Sequence, residues 1–513
     1  MKNSNKAIRM FYDSYSSARV RQLVFLSLIG LAFSSSTWAE FERDNIESEP
    51  NYTPLHALNQ LQSLKNLKPQ QHYQAPFVQE LPTTHQVRTL FVASQSLPIV
   101  DIQLTFNAGS AQDQRIEAGL YGLSNMAARL MTEGTDQYSA KQIADMFEKL
   151  GARFSVNAYR DMFVVRLRVL SNPEKLQPAV DLMLHLINHA TFHHSGLNLI
   201  LNNTNVGQKQ VRENPNRLMN IQFYRTVYGQ HPYAEPIVGT NGSIKKITPA
   251  HLMQFRNTFL VAQNMNIAMT GDLKSEQANK IANHISQSIN QGHAAPALAP
   301  ALEQKDLNIH FIPFNSSQAH VMLGHLAIAR NDPDRIALEV ANQLFGGSGF
   351  NSILMKELRV KRGYTYGAYS ALTSTQARGL FSFSYSTQQD QLMDSIQVAH
   401  QAMIDFVKQP IRSKDLEETK EGMLRSFPMS FSSNDSINAQ IAAIGFYQLP
   451  SDYLSDYQKQ LSQITSKQVQ AAIKKHLHPD RLSMVIVAKQ LDETALRAML
   501  QSQLNPTPGT PNP

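Results

Sequence analysis

Cysteine is absent from this chain of 513 residues, which excludes disulfides and thiolate chemistry. Any metal would have to be held by histidine, aspartate or glutamate. Charge is modest at 17% Asp, Glu, Lys and Arg, with no basic run of five or more, so nothing points to nucleic acid or to an anionic lipid surface. After residue 39 no segment is long and apolar enough to cross a membrane. The 42% of apolar residues is ordinary for a soluble globular protein, and the length suggests two to four domains.

The formal charge of +7 is concentrated at the start. Lys2, Lys6, Arg9, Arg19 and Arg21 stand against Asp13, so removing residues 1–39 leaves 42 basic and 39 acidic side chains, or +3. An apolar stretch from Leu23 to Phe33 follows, and then Thr37 and Ala39 supply the small residues of a cleavage site. Residues 1–39 therefore read as an export signal, and a bacterial periplasmic protein fits best. The alternative, an uncleaved anchor, falls short of the ~20 residues that span a bilayer. Residues 40–75 read as a polar, irregular N-terminal extension, and residues 501–513, ending in a proline-rich run, as a disordered tail. Between Asn290 and Ala301, alanine and proline at high density predict a semi-extended linker, placed over 289–306, with no core to join.

The linker separates two domains, 76–288 and 307–500, that resemble each other. The segment from Ile247-Thr248 is echoed 217 residues later from Ile464-Thr465, each running from a threonine N-cap through a helix into a short apolar strand. Gly151-Ala152 is echoed 216 residues later by Gly367-Ala368, each followed by an alternating strand and a helix. One offset kept across separate element pairs indicates internal duplication. The predicted fold class is α+β, an α/β sandwich of two homologous halves, each a mostly antiparallel sheet with helices packed on it. Within it, Ile99–Phe106 reads as a strand, Ala118–Met131 as a helix, and Ser139 with Gln142 as a capping box opening a helix to Leu150. Phe350–Arg362 reads as a helix stopped by Gly363, with a strand from Tyr364 to Tyr369.

The run from Phe106 to Thr135, with Ala108-Gly109-Ser110, Gly119-Leu120 and Gly134-Thr135, resembles the site region of the insulinase/pitrilysin-type zinc metallopeptidases. Tyr233–Thr240, Asn264-Met265 with Gly271-Asp272, and Leu358-Arg359 with Gly363 and Tyr366 match further landmarks, so the resemblance spans roughly 75–490. That family binds zinc through an inverted His-x-x-Glu-His motif, whose histidines face one way on a helix while the glutamate activates water. The corresponding positions here are Gly122, Asn125 and Met126, and the distal glutamate ligand falls near Val206 or Gly207. None can ligate zinc, and His-x-x-Glu-His occurs nowhere else in the chain.

The resemblance therefore implies the non-zinc-binding subunit of the two-chain, mitochondrial-processing-peptidase-like branch. On that reading this chain holds no cofactor. Zinc is expected in a homologous partner subunit bearing His-x-x-Glu-His, and the substrate is an extended polypeptide adding to a sheet edge. Arg359 and Tyr366 match the pair that binds substrate carbonyl and main chain in the family, where a guanidinium and a phenol suit developing negative charge. The fold also admits a non-hydrolytic peptide-binding or scaffold protein. Two rival sites remain. His185 and His189, one turn apart with His193 and His194 beyond, offer zinc ligands, although Leu186 stands where a catalytic glutamate would be. Gly346-Gly347-Ser348-Gly349 has no Gly-Lys-Ser/Thr after it and lacks the context of a phosphate loop.

Overall fold

The structure, a computed structural model, describes residues 74–505 apart from residue 348. The export signal, nearly all of the N-terminal extension and residues 506–513 lie outside the described residues. The described chain carries two sheets of one plan. In the first half, β1 (Gln79–Leu81), β2 (Thr89–Ala93) and β3 (Ile99–Phe106) lead to α1 (Leu123–Leu130) and α2 (Ala140–Leu150). There follow β4 (Arg153–Ala158), β5 (Phe163–Leu170), α3 (Pro173–His189), α4 (His194–Arg212), α5 (Pro215–Tyr228), α6 (Pro249–Phe259), β6 (Met265–Gly271) and α7 (Ser275–Ser288). The second half runs β7 (Asn308–Pro313), β8 (Gln318–Leu326), α8 (Arg335–Gly346), β9 (Ala368–Leu372), β10 (Leu380–Gln388), α9 (Leu392–Lys408) and α10 (Ser413–Ser426). It closes with α11 (Asn434–Phe446), α12 (Tyr453–Gln463), α13 (Ser466–His476), β11 (Ser483–Ala488) and α14 (Glu493–Leu504).

The first sheet has the order β1-β2-β6-β3-β5-β4 and the second β7-β11-β8-β10-β9, so all but β1 have a counterpart. The β2–β6 and β7–β11 pairs are parallel and the other pairs antiparallel, as the predicted mostly antiparallel class requires. Local chemistry sets the ends of several elements. Ser139 and Gln142 close a capping box on α2, and Thr248 with His251 and Thr465 with Gln468 do the same for α6 and α13.

The two halves exchange helices. From α5, Met219, Phe223 and Val227 bury against Leu326, Val485 and Val487 of the second sheet. From α11, Ile441, Ala442 and Ile444 bury against Leu90, Val92 and Ala268 of the first. Gly445 lets α11 come this close, because a Cβ there would lie 2.7 Å from Asn266 Nδ2. The amide of Asn266 then donates to Ala442 O at 3.3 Å.

Several local expectations are corrected. The helix expected over Ala118–Met131 is only Leu123–Leu130, because a 3-10 turn occupies Ser110–Arg115 and the left-handed Gly122 starts the helix late. The helix expected over Phe350–Arg362 is shorter, with Met355–Val360 wound as a π-helix, and the strand begins at Ala368 rather than Tyr364. Gly363, at φ 66, turns the chain there. Thr365 Oγ1 then holds a turn with the N–H and carbonyl of Gly367. The last helix continues to Leu504, four residues into the expected tail. The alanine/proline segment has no regular structure but is not free of the core. Ala301 is buried with Phe223 and Tyr233, and Ala295 N donates to Asn264 Oδ1 at 2.8 Å.

Candidate functional site: the start of helix α1 and an exposed arginine–tyrosine pair

The family resemblance assigns the zinc motif to α1. Gly122 caps it at φ 94, and an added Cβ would lie 2.9 Å from the backbone of Val238 and Gly239. Asn125 is half-buried, and Met126, 2% exposed, packs in the core with Leu123 and Leu130. Of the distal pair, Gly207 lies in α4 and offers no side chain.

Asp113 was not singled out from the sequence, yet it organises this helix start. Its carboxyl is fully buried and accepts from Gly122 N at 2.9 Å and Ser124 N at 3.0 Å, capping α1 from nine residues upstream. Burial pushes its pKa up to about 7, against the pull of those amides. The folded chain therefore keeps a proton at pH values where the unfolded chain has lost it, and stability falls as pH rises from about 4 to about 7. Between pH 5 and pH 7 the loss from this group is about 2 kcal/mol, and Asp113→Asn should flatten that slope in urea unfolding at the two pH values.

In the second half, Arg359 lies on the π-helical turn and Tyr366 in the loop before β9. Arg359 Nη1 donates to the main-chain carbonyl of Tyr366 at 2.6 Å, and its guanidinium lies 4.6 Å from the centre of the Phe350 ring. The Tyr366 side chain is 85% exposed, and Phe350 under the Arg359 guanidinium and Val360 next to Arg359 in sequence are 61% and 64% exposed. The structure thus brings Arg359 and Tyr366 together through guanidinium and carbonyl, leaving the phenol free in solvent.

The rival histidines close the last turn of α3. Their rings stack at 4.7 Å and face Asp136, with Nε2 of His185 3.9 Å and Nδ1 of His189 3.6 Å from its oxygens. Burial, helped by His189, lowers the pKa of His185, and its Nε2 lies 3.0 Å from Thr135 Oγ1. Among the described residues, one trio of possible ligands has its atoms all within 4.8 Å of one another: Asp332, Asp334 and His476. Lys475 Nζ already sits 2.7 Å from Asp334 Oδ2 there, a pair that neutralises the carboxylate. Gly347 caps α8 in an extended conformation.

Models of two domains match the chain in sequence: the insulinase domain of peptidase family M16 over residues 88–241, and the peptidase M16 inactive domain over 246–423. A crystal structure of a peptidase M16 inactive domain from Pseudomonas fluorescens is 36% identical, covers 81% of this chain and 98% of its own, and superimposes with a TM-score of 0.77. This chain belongs to the M16 family. A Helicobacter pylori relative called non-peptidase homolog YmxG is 22% identical over 417 residues, 79% of this chain and 94% of its own. The fold is also that of the periplasmic protease PqqL from Escherichia coli, at 17% identity and a TM-score of 0.69 over 82% of this chain and 46% of that one. Within M16 its matches include the inactive-domain model over residues 246–423, the inactive-domain structure and a relative named a non-peptidase homolog.

Proposed function

We propose that this M16 chain is the non-catalytic subunit of an exported two-chain zinc metalloendopeptidase. Its partner, a homologous subunit with an intact His-x-x-Glu-His, holds the metal, and this chain supplies Arg359 and Tyr366 to an extended peptide substrate. The observation that carries the reading is an exposed phenol on Tyr366, the residue whose main-chain carbonyl holds the Arg359 guanidinium, on a chain whose α1 offers no metal ligand at the positions that the resemblance assigns. An arginine and a phenol together stabilise an oxyanion. The π-helical turn under Arg359 is of a kind that often marks functional positions. The family's periplasmic member and the leader-like residues 1–39 support export.

Arg359→Ala in the reconstituted complex should lower kcat about a hundredfold, the effect of losing one oxyanion donor, with zinc content unchanged. Unchanged turnover would overturn the proposal. A second reading, a peptide-binding or scaffold protein with no part in hydrolysis, is favoured by one contact. Arg359 already spends a donor on the Tyr366 carbonyl, a purely structural role. Native mass spectrometry of the mature chain from its own cells separates the two. A two-chain particle with one zinc supports the subunit, whereas a zinc-free particle supports the scaffold.

A further inference from the structure

The helix exchange covers the two sheets unevenly. In the second sheet α5 packs on β8 and β11, and beyond it Ser384 and Ser386 of β10 are partly exposed and Tyr369 of β9 is exposed. A pocket of 450 Å³ forms there, with Ser384 and Ser386 on β10, Gln318 on β8, Asn216 on α5, and Tyr366 and Tyr369 as walls. Among the described residues, no carboxylate, ammonium, guanidinium or imidazole lines it. His320 faces Ser386 across the strands, its Nδ1 2.8 Å from the hydroxyl, and burial lowers its pKa.

The duplicated half supplies an internal reference. There Arg166 pairs across the strands with Gln103 and Ser155, as Ser384 pairs with Met322 and Tyr369. Arg168, two residues on, takes the place of Ser386 and forms an ion pair with Asp101 at 2.7 Å. The same position in the fold is thus cationic in one half and uncharged in the other. Tyr369 is more than half exposed, and among the described residues β9 is the last strand of its sheet.

We propose that this pocket seats one uncharged side chain with a hydrogen-bonding tip, a phenol or a carboxamide, from an extended peptide lying along β9 beside Tyr366. This rests on the chain being peptide-binding, as proposed above, and adds the class of side chain selected. Serine hydroxyls and carboxamides both donate and accept, so they satisfy a phenol or amide tip, while two tyrosine walls suit a flat group. An ammonium or carboxylate entering the same space would lose its hydration with no counter-charge to replace it.

The test uses the full mature chain and a labelled eight-residue strand-forming peptide with Tyr, Gln, Leu, Lys or Glu at one central position, read by fluorescence anisotropy. The Tyr and Gln peptides should bind at least tenfold more tightly than the Lys and Glu peptides. Ser384→Asp should reverse the order for Lys, strengthening that peptide about tenfold while weakening Tyr. If all five bind alike, or a charged residue is preferred, the pocket assignment falls while the peptide-binding reading stands. If none binds, both fall together. A homodimer that excludes every peptide would place a second copy on this face and equally overturn the assignment.

Discussion

Introducing His-x-x-Glu-His where the family resemblance would set it, through Gly122→His, Asn125→Glu and Met126→His, should give a chain that holds no stoichiometric zinc and is less stable by about 3 kcal/mol or more. The obstacle is backbone rather than spelling. At φ 94, Gly122 lies where a β-carbon is disfavoured, a conformation that costs other residues about 1–3 kcal/mol. The β-carbon would also overlap the Val238–Gly239 backbone. That loop cannot recede easily, because Ser243 Oγ donates to Tyr121 O at 2.7 Å and so ties it to the residue preceding Gly122. Histidine at 126 would place an imidazole among Leu123 and Leu130 without a partner, for about 1–3 kcal/mol more. Elemental analysis and urea unfolding of the triple variant check both parts. One zinc per chain at undiminished stability would mean that only the ligands had been lost and that the surrounding loop still accommodates them.

Asp161→Ala should lower the unfolding free energy by about 3–5 kcal/mol. Asp161, 4% exposed, lies in the turn between β4 and β5. Its carboxylate accepts from the Tyr233 phenol of its own half, and from Gln376 N at 2.9 Å and the Tyr447 phenol at 3.4 Å in the other half. Removing it leaves buried donors on both sides without their acceptor, and each costs its full desolvation. Burial raises the pKa of Asp161, opposed by these same donors. Asp161→Asn keeps one acceptor oxygen and should lose about half as much, because hydrogen bonds to a charged group are the stronger kind. Urea unfolding of both variants measures the difference, and equal stability of Asp161→Ala and the parent would deny the carboxylate its bridging role.

Much of the scaffold was legible in the sequence because its signals are local. Strands such as Ile99–Phe106 and Phe163–Leu170 declare themselves by alternation, Ser139 and Thr465 announce helix starts, and the duplication shows as one offset. Failures occurred where a distant segment decides. The short α1 depends on Asp113 and on a loop more than a hundred residues away, which no window of sequence around Gly122 contains. The proline-rich connector reads as free until His231 and Asn264 are found bonded to it. At the candidate site, adjacency of Arg359 and Tyr366 was readable from the helix and turn. That the guanidinium takes the tyrosine carbonyl and leaves the phenol in solvent was not, because it depends on the Thr365 turn and the late start of β9.

The exchange of α5 and α11 also dictates an order of events during synthesis. Chains with self-contained domains fold the N-terminal one while the rest is still being made. Here α5 is finished by residue 228, but β8 and β11, the strands that receive it, are not complete until residues 326 and 488. The first sheet in turn waits for α11, which ends at residue 446, to cover Leu90, Val92 and Ala268. The N-terminal half must therefore remain unfinished, with Phe223 and its apolar neighbours exposed, until nearly the whole polypeptide exists. A chain that cannot close early leaves the apolar face of α5 uncovered until its C-terminal strand arrives.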